Sequence, residues 1–318
     1  MILRTVLGDR DPATAGPVDS HDHLFLADGF AARLNPALRL DDFDRTLAEL
    51  ARYRAVGGGT VVDAQPVGCG RMAVWQAEAS RQSGVSVIAS TGFHRLSFYP
   101  AKHWIHYLPE EYLTELFARE IEAGMHSDGD CSLPTERLKA RAGVIKVAIG
   151  PEGPQGRVTL LLRAAAGASL RTGAALLCHT EVGQHAVALV DFLRGMRVPA
   201  RSIIVCHADR TTDLALNLTI ARTGVWLEYD TIGRPKYHSD EDESGLLATM
   251  AEAGHADQLL LGLDGTRERH LAYGGTVGLD YLQRVFLPLL RRQGFDETLL
   301  RQWTTDNPSR AFAFEPRT

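Results

Sequence analysis

The feature that most constrains the fold is a recurrence. Short apolar runs, mostly β-branched, return eight times along the chain, and helical periodicity follows them. They are PVDSHDH (17–23), TVVDA (60–64), VSVIAST (85–91), AGVIKVAI (142–149), AALLCH (174–179), SIIVCH (202–207), GVWLEYD (224–230) and LLLGLD (259–264). Near-continuous apolar runs of this length mark strands covered on both faces, the condition of a parallel sheet. Helical spacing is clearest at Phe43, Leu47, Leu50 and Arg54, with Asp41 and Asp42 suited to the N-terminus and Gly57 to Gly59 as the stop. Leu279, Leu282, Phe286, Leu289 and Leu290 repeat the spacing up to Gly294. Eight βα units in 318 residues predict an α/β fold, a (β/α)8 TIM barrel, as one domain over 1–318. The rival, a doubly wound sheet, calls for a glycine-rich phosphate turn after the first strand, and HDHLFLADGF lacks one. GPEGPQG (150–156) lacks the Lys-Ser/Thr of a P-loop and reads as a turn entering a helix.

A net charge of -5 gives no footprint for nucleic acid or an anionic membrane surface, so the expected partner is a small molecule. No stretch approaches the roughly 18 apolar residues of a membrane span, and MILRTVLGDRDPATAG lacks the apolar core of an export signal. Cys69, Cys131, Cys178 and Cys206 form no Cys-x-x-Cys pair, which suits reduced thiols in a cytoplasm.

The ends of the strands carry the chemistry. In a barrel the C-terminal strand ends converge on one mouth. There the sequence places His21 and His23, Lys146, His179, His207 and Asp264. Residues two positions apart on a strand share a face, so His21 and His23 project together. Each residue alone has an ordinary structural role: a hydrogen-bonded histidine, an ion-paired lysine, a helix-capping aspartate. Together, four imidazoles, one amine and one carboxylate form a donor set for zinc and related divalent ions.

These positions resemble the phosphotriesterase-like family of the amidohydrolase superfamily: His21-x-His23, Lys146 in AGVIKVA, His179 in CHTEVG, His207 in CHADR and Asp264 in GLDGTR. TVLGDRDPATAG, ELFAREIEAGM (115–125) and NPSRAFAF (307–314) extend the resemblance nearly end to end. It implies two divalent ions, zinc first, with manganese, cobalt or iron as alternatives. His21, His23 and Asp264 would hold the more buried ion, His179 and His207 the more exposed one, and an N6-carboxylated Lys146 would bridge them. A metal-bridging hydroxide would be the nucleophile and Asp264 its proton acceptor. The implied reaction is opening of a lactone or hydrolysis of a carboxylic ester; phosphotriester cleavage is the alternative, and a non-catalytic barrel that only binds is the reading from another class. A homodimer is also implied. Asp22 stands where the family often has Glu, and facing away from the ligands it is expected to matter little. Cys178 and Cys206 are expected to point outward into packing.

Specificity is expected from the loops. GFHRLSFYPAKHWIHYLP (92–109) offers His94, Arg95 and Tyr99 as substrate contacts, with His103 and His106 at a surface or lid. Tyr229, Arg234 and Arg267 are the contacts expected from the loops beyond, where Glu228, Asp230, Lys236, Arg269, His270 and Tyr273 also lie. Several cations at the mouth favour an anionic substrate, such as a sugar-acid lactone or one bearing a phosphate.

Overall fold

The computed structural model describes residues 1–181, 183 and 185–317. It begins with an antiparallel hairpin, β1 (Leu3–Thr5) and β2 (Gly8–Arg10). Eight parallel strands follow in sequence order: β3 (Val18–Asp22), β4 (Thr60–Asp63), β5 (Ser86–Gly92), β6 (Val144–Ala148), β7 (Leu176–His179), β8 (Ile203–Val205), β9 (Trp226–Tyr229) and β10 (Leu259–Leu261). The seam between β10 and β3 is closed by the Leu263 and Asp264 N–H groups, which donate to the His21 carbonyl at 3.1 and 2.8 Å. The Ser20 hydroxyl donates across the same seam to the Leu261 carbonyl at 2.6 Å. The result is the expected (β/α)8 barrel.

Between the strands run α1 (Phe30–Leu34), α2 (Phe43–Ala55), α3 (Ala73–Ser83), α4 (Glu110–Glu122), α5 (Gly156–Thr172), α6 (Ala186–Gly195), α7 (Leu214–Ala221) and α8 (Asp240–Glu252). Asp42 caps α2 by accepting from the Arg45 N–H, and GPEGPQG leads into α5 as its glycines suggest. The C-terminal periodicity forms a π-helical turn (Leu282–Phe286) continuing into an α-helix (Leu287–Arg292), stopped by Gly294 at φ +93. No helix among the described residues is long and apolar enough to cross a membrane.

Strand alternation separates the core into two layers. Val18, Val62, Ile88, Val144, Leu177, Ile204 and Leu260 fill the barrel, and Leu3 and Phe312 pack in the same cluster. Val61, Val87, Ile145, Leu176, Val205, Leu227 and Leu259 pack against the helices. This parity decides which polar side chains reach the interior.

Candidate metal centre

Residues two or four beyond an interior apolar residue share its direction while the strand stays regular. Lys146 follows Val144, His179 follows Leu177, and Glu228 and Asp230 follow Trp226. Three irregularities bring in the remaining ligands, one of them the left-handed backbone of Asp264, φ +47, beyond the end of β10. A bulge between Asp19 and Asp22 inserts one residue into β3 relative to β4 and turns His21 and His23 inward despite the phase set by Val18. His207 takes a left-handed backbone, φ +59, just past the end of β8 and turns in beside Cys206. Cys206 therefore packs with the barrel interior, not outward as expected, because it keeps the parity of Ile204; Cys178 does pack outward.

The six residues converge. His21 Nδ1 lies 2.6 Å from Glu228 Oε2, and His207 Nδ1 lies 2.6 Å from Asp230 Oδ1. Proton donation to these carboxylates fixes the tautomers and leaves both Nε2 lone pairs facing the centre. His21 Nε2 is 3.1 Å from Lys146 Nζ, and His207 Nε2 is 2.8 Å from His179 Nδ1. Asp264 Oδ1 lies 3.9 Å from His21 Nε2 and 3.6 Å from His23 Nε2. His23 Nδ1 is buried without a hydrogen-bond partner. One donor atom each from His21, His23 and Asp264 falls within a sphere of mutual distances under 4.8 Å.

The electrostatics suit ligation. Burial, reinforced by the Lys146 charge, holds His21 well below the usual imidazole range; burial and Arg210 do the same for His207, and burial brings His179 to about 4. All three rings are neutral donors near pH 7. Burial would raise Asp264, but Arg234, helped by the nearby His23 ring, outweighs it and keeps the carboxyl well below its ordinary value. Lys146 is fully buried with no carboxylate at ion-pair distance among the described residues, so the ordinary role of an ion-paired lysine does not apply. A buried amine next to a ring lone pair, an unpartnered imidazole nitrogen and an ionised carboxylate fit a divalent-metal centre.

Above the cluster opens a cavity of about 620 Å³ bordered by His94, Arg95, Arg210, Arg234, Lys236 and Arg269, among others. Arg234 Nη1 and Arg210 Nη2 lie 2.9 and 3.3 Å from Asp264 Oδ2. Arg95 pairs with Glu181 at 2.5 Å across the mouth, and the His94 ring centroid is 5.4 Å from that of His179. Recesses of about 700 and 830 Å³ elsewhere gather no comparable donors.

Three expected substrate contacts are corrected. Tyr229 has the parity of Leu227, points between barrel and helices, and donates its hydroxyl to Asn217 Oδ1 at 2.9 Å. Tyr99 is buried beneath the loop, where its hydroxyl accepts the His94 N–H at 2.8 Å. Arg267 lies in the outer recess, its guanidinium 5.2 Å above the Tyr273 ring. His103 is likewise buried, 3.0 Å from the Gly129 carbonyl, and is not a surface residue. Asp22 does face away from the donor cluster, and its Oδ1 lies 3.3 Å from His270 Nε2. The sequence reading gave no role to Arg210, nor to Glu228 and Asp230 as orienting groups. Parity with Trp226 was the available signal for the two acids; Arg210 ends a single 3-10 turn (Ala208–Arg210), too short for any periodicity to speak.

A model of the phosphotriesterase family matches residues 1–312. The chain belongs to the phosphotriesterase family. Within this family, a phospho-furanose lactonase of Mycoplasmopsis synoviae (strain 53) is 31% identical, the match covering 99% of this chain and 92% of that protein. The crystal structure of an amidohydrolase from Mycoplasma synoviae superposes with a TM-score of 0.94 at 30% identity, covering 100% of this chain and 93% of that one. A lactonase from Listeria monocytogenes gives a TM-score of 0.90 at 25% identity, covering 99% and 100% of the two chains. Phosphotriesterase-family architecture thus accounts for nearly the whole molecule.

Proposed function

We propose that this hydrolase of ester bonds opens an anionic lactone, with a phosphorylated sugar lactone as the best fit. The observation that carries the reading is the cationic rim. Arg95, Arg210, Arg234, Lys236 and Arg269 border the same cavity as the donor cluster, opposed by Glu181, Asp264 and Glu268. In a chain of net charge -5, that concentration of positive charge attracts and orients an anion and gives a neutral phosphotriester nothing to match it. Lys236 stands exposed, its Nζ 4.7 Å over the Tyr237 ring, free to swing toward a phosphate. The phospho-furanose lactonase named above supports the same substrate class.

In this reading His21, His23 and Asp264 would hold one divalent ion and His179 and His207 a second, and Lys146, if carboxylated on Nζ by carbon dioxide, would add an anionic oxygen ligand. Zinc is the first choice, and manganese, cobalt and iron accept the same donors. Such ions supply an acidified water and a Lewis acid for the carbonyl oxygen. The chain's own groups do the rest. Glu228 and Asp230 hold the His21 and His207 rings. Asp264 takes up the proton at its carboxylate, kept ionised for that purpose by Arg234 and Arg210. His94 and Arg95 form one wall, and the Arg95–Glu181 pair narrows the mouth.

The test is hydrolysis, followed by pH indicator, of phosphorylated lactones, neutral lactones and a neutral aryl phosphotriester by protein loaded with zinc or manganese and bicarbonate. The reading expects a phosphorylated lactone to lead the phosphotriester in kcat/KM by at least about 100-fold, roughly the worth of two charge-assisted hydrogen bonds. Faster turnover of the phosphotriester contradicts it.

A further inference from the structure

Arg269, in the loop after β10, borders the cavity, but its guanidinium serves the neighbouring loop. The residue is only 8% exposed. Nη2 donates to the Ile232 carbonyl at 2.7 Å and Nη1 to the Gly233 carbonyl at 2.9 Å. Nε is buried without a hydrogen-bond partner, out of reach of a ligand in the cavity. Burial, with the Arg234 charge nearby, lowers the group only to about 10, so it remains a cation near pH 7. A buried guanidinium is costly unless its N–H groups find acceptors, and here two consecutive carbonyls supply them.

Both ends of this link are fixed. The Arg269 N–H donates to the Thr266 carbonyl at 2.8 Å, and the Arg269 carbonyl accepts from Val277 and Gly278 at 2.9 Å each. The chain folds back so closely there that a Cβ at Gly275 would lie 2.5 Å from the Arg269 carbonyl carbon. At the other end, Gly233 has a left-handed backbone, φ +68, and its N–H donates to Asp240 Oδ1 at 2.7 Å. The next residue is Arg234, whose Nη1 lies 2.9 Å from Asp264 Oδ2 and whose Nη2 donates to the Asp264 carbonyl. These contacts close a ring: from Asp264 along the chain to Arg269, across to Ile232 and Gly233, and through Arg234 back to Asp264.

We propose that Arg269 is a positioning residue for the hydrolysis: its fork, gripping the Ile232 and Gly233 carbonyls, holds the backbone from which Arg234 reaches Asp264. This rests on the reading above, in which Asp264 takes up the proton. Arg269 adds its charge to the rim, yet both of its terminal nitrogens are already engaged by backbone oxygens. Lysine does not replace it, since one ammonium on a flexible stem lacks the geometry of a planar fork.

The test is a double-mutant cycle on kcat/KM of the zinc-loaded full chain for a phosphorylated lactone, using Arg269→Met, Arg234→Met and the pair, together with a crystal structure of Arg269→Met. The proposal expects each single variant to lose at least about tenfold and the pair to fall no more than about twofold below Arg234→Met, because residues that act through one contact are not additive. The crystal structure is expected to show Arg234 displaced from Asp264. Losses that multiply in the pair, or an Arg234 unmoved in the crystal, overturn the proposal. Arg269→Lys keeps the charge and is expected to lose nearly as much; wild-type activity in that variant would make charge, not the fork, the operative property and overturn it too. Should wild type turn over no lactone, the functional reading fails while the crystal structure still decides this one. Should Arg269→Met not fold, Arg269→Lys takes its place in the cycle and in the crystal.

Discussion

At the residue scale the centre depends on acids that touch no substrate. Glu228 and Asp230 are each a carboxylate behind a histidine, and burial raises both, Glu228 to about 8. Carboxylate partners of this kind set the ring tautomer and its basicity, and their loss typically costs 10- to 100-fold in metal affinity. Glu228→Gln is therefore expected to weaken zinc binding by about that factor in a chelator competition, while circular dichroism remains unchanged. Tyr229 gives the converse prediction. Its hydroxyl serves Asn217, away from the cavity. Tyr229→Phe should lose about 1 kcal/mol of stability in urea unfolding and leave kcat/KM within twofold. A large rise in KM would restore Tyr229 to the substrate site.

At the element scale, regular alternation and three departures from it assemble the site. Lys146 and His179 were legible because they terminate runs whose apolar partners already face inward, and Asp264 because it closes LLLGLD, although its own backbone is left-handed, φ +47. His21 and His23 were legible as a pair at a strand end, but the bulge in β3 that turns them inward was not, since nothing in VDSHD marks where a residue is inserted. Cys206 was misjudged for the related reason that His207 enters by a left-handed turn, so neighbouring residues both reach the interior. Tyr229 shows the opposite case: its outward phase follows from Leu227, but proximity in sequence to the mouth suggested a contact that the strand forbids. Gly262 tests the packing of the seam. A Cβ there would lie 2.9 Å from the His21 backbone nitrogen and 3.2 Å from Asp230 Cβ. Gly262→Ala is expected to displace His21, lowering both the melting temperature and zinc content. A variant that keeps full zinc would show that the seam is looser than the backbone implies.

At the scale of the whole molecule, the barrel and its mouth were readable from the repeated βα pattern, whereas the hairpin β1–β2 and the buried pairs outside the barrel were not. Arg71 and Glu120 are an example, both buried and joined by two hydrogen bonds of 2.7 Å. Burial would raise Glu120, but Arg71 outweighs it and brings the carboxyl to about 2 from its ordinary 4.5. A depressed folded-state value adds stability that is complete above the unfolded value and is lost as pH falls through the folded one. The loss should therefore run from about pH 4.5 down to about 2, on the order of 3 kcal/mol at most. Denaturation at a series of pH values should show that slope in wild type and a shallower one in Glu120→Gln. The central claim concerns the mouth, and one measurement addresses it most directly: kcat/KM of the zinc-loaded enzyme for two furanose lactones that differ only in a phosphate. The cationic rim predicts a preference of about 100-fold or more for the phosphorylated one, reduced at least tenfold in Lys236→Met. Equal rates for the two lactones would contradict the account.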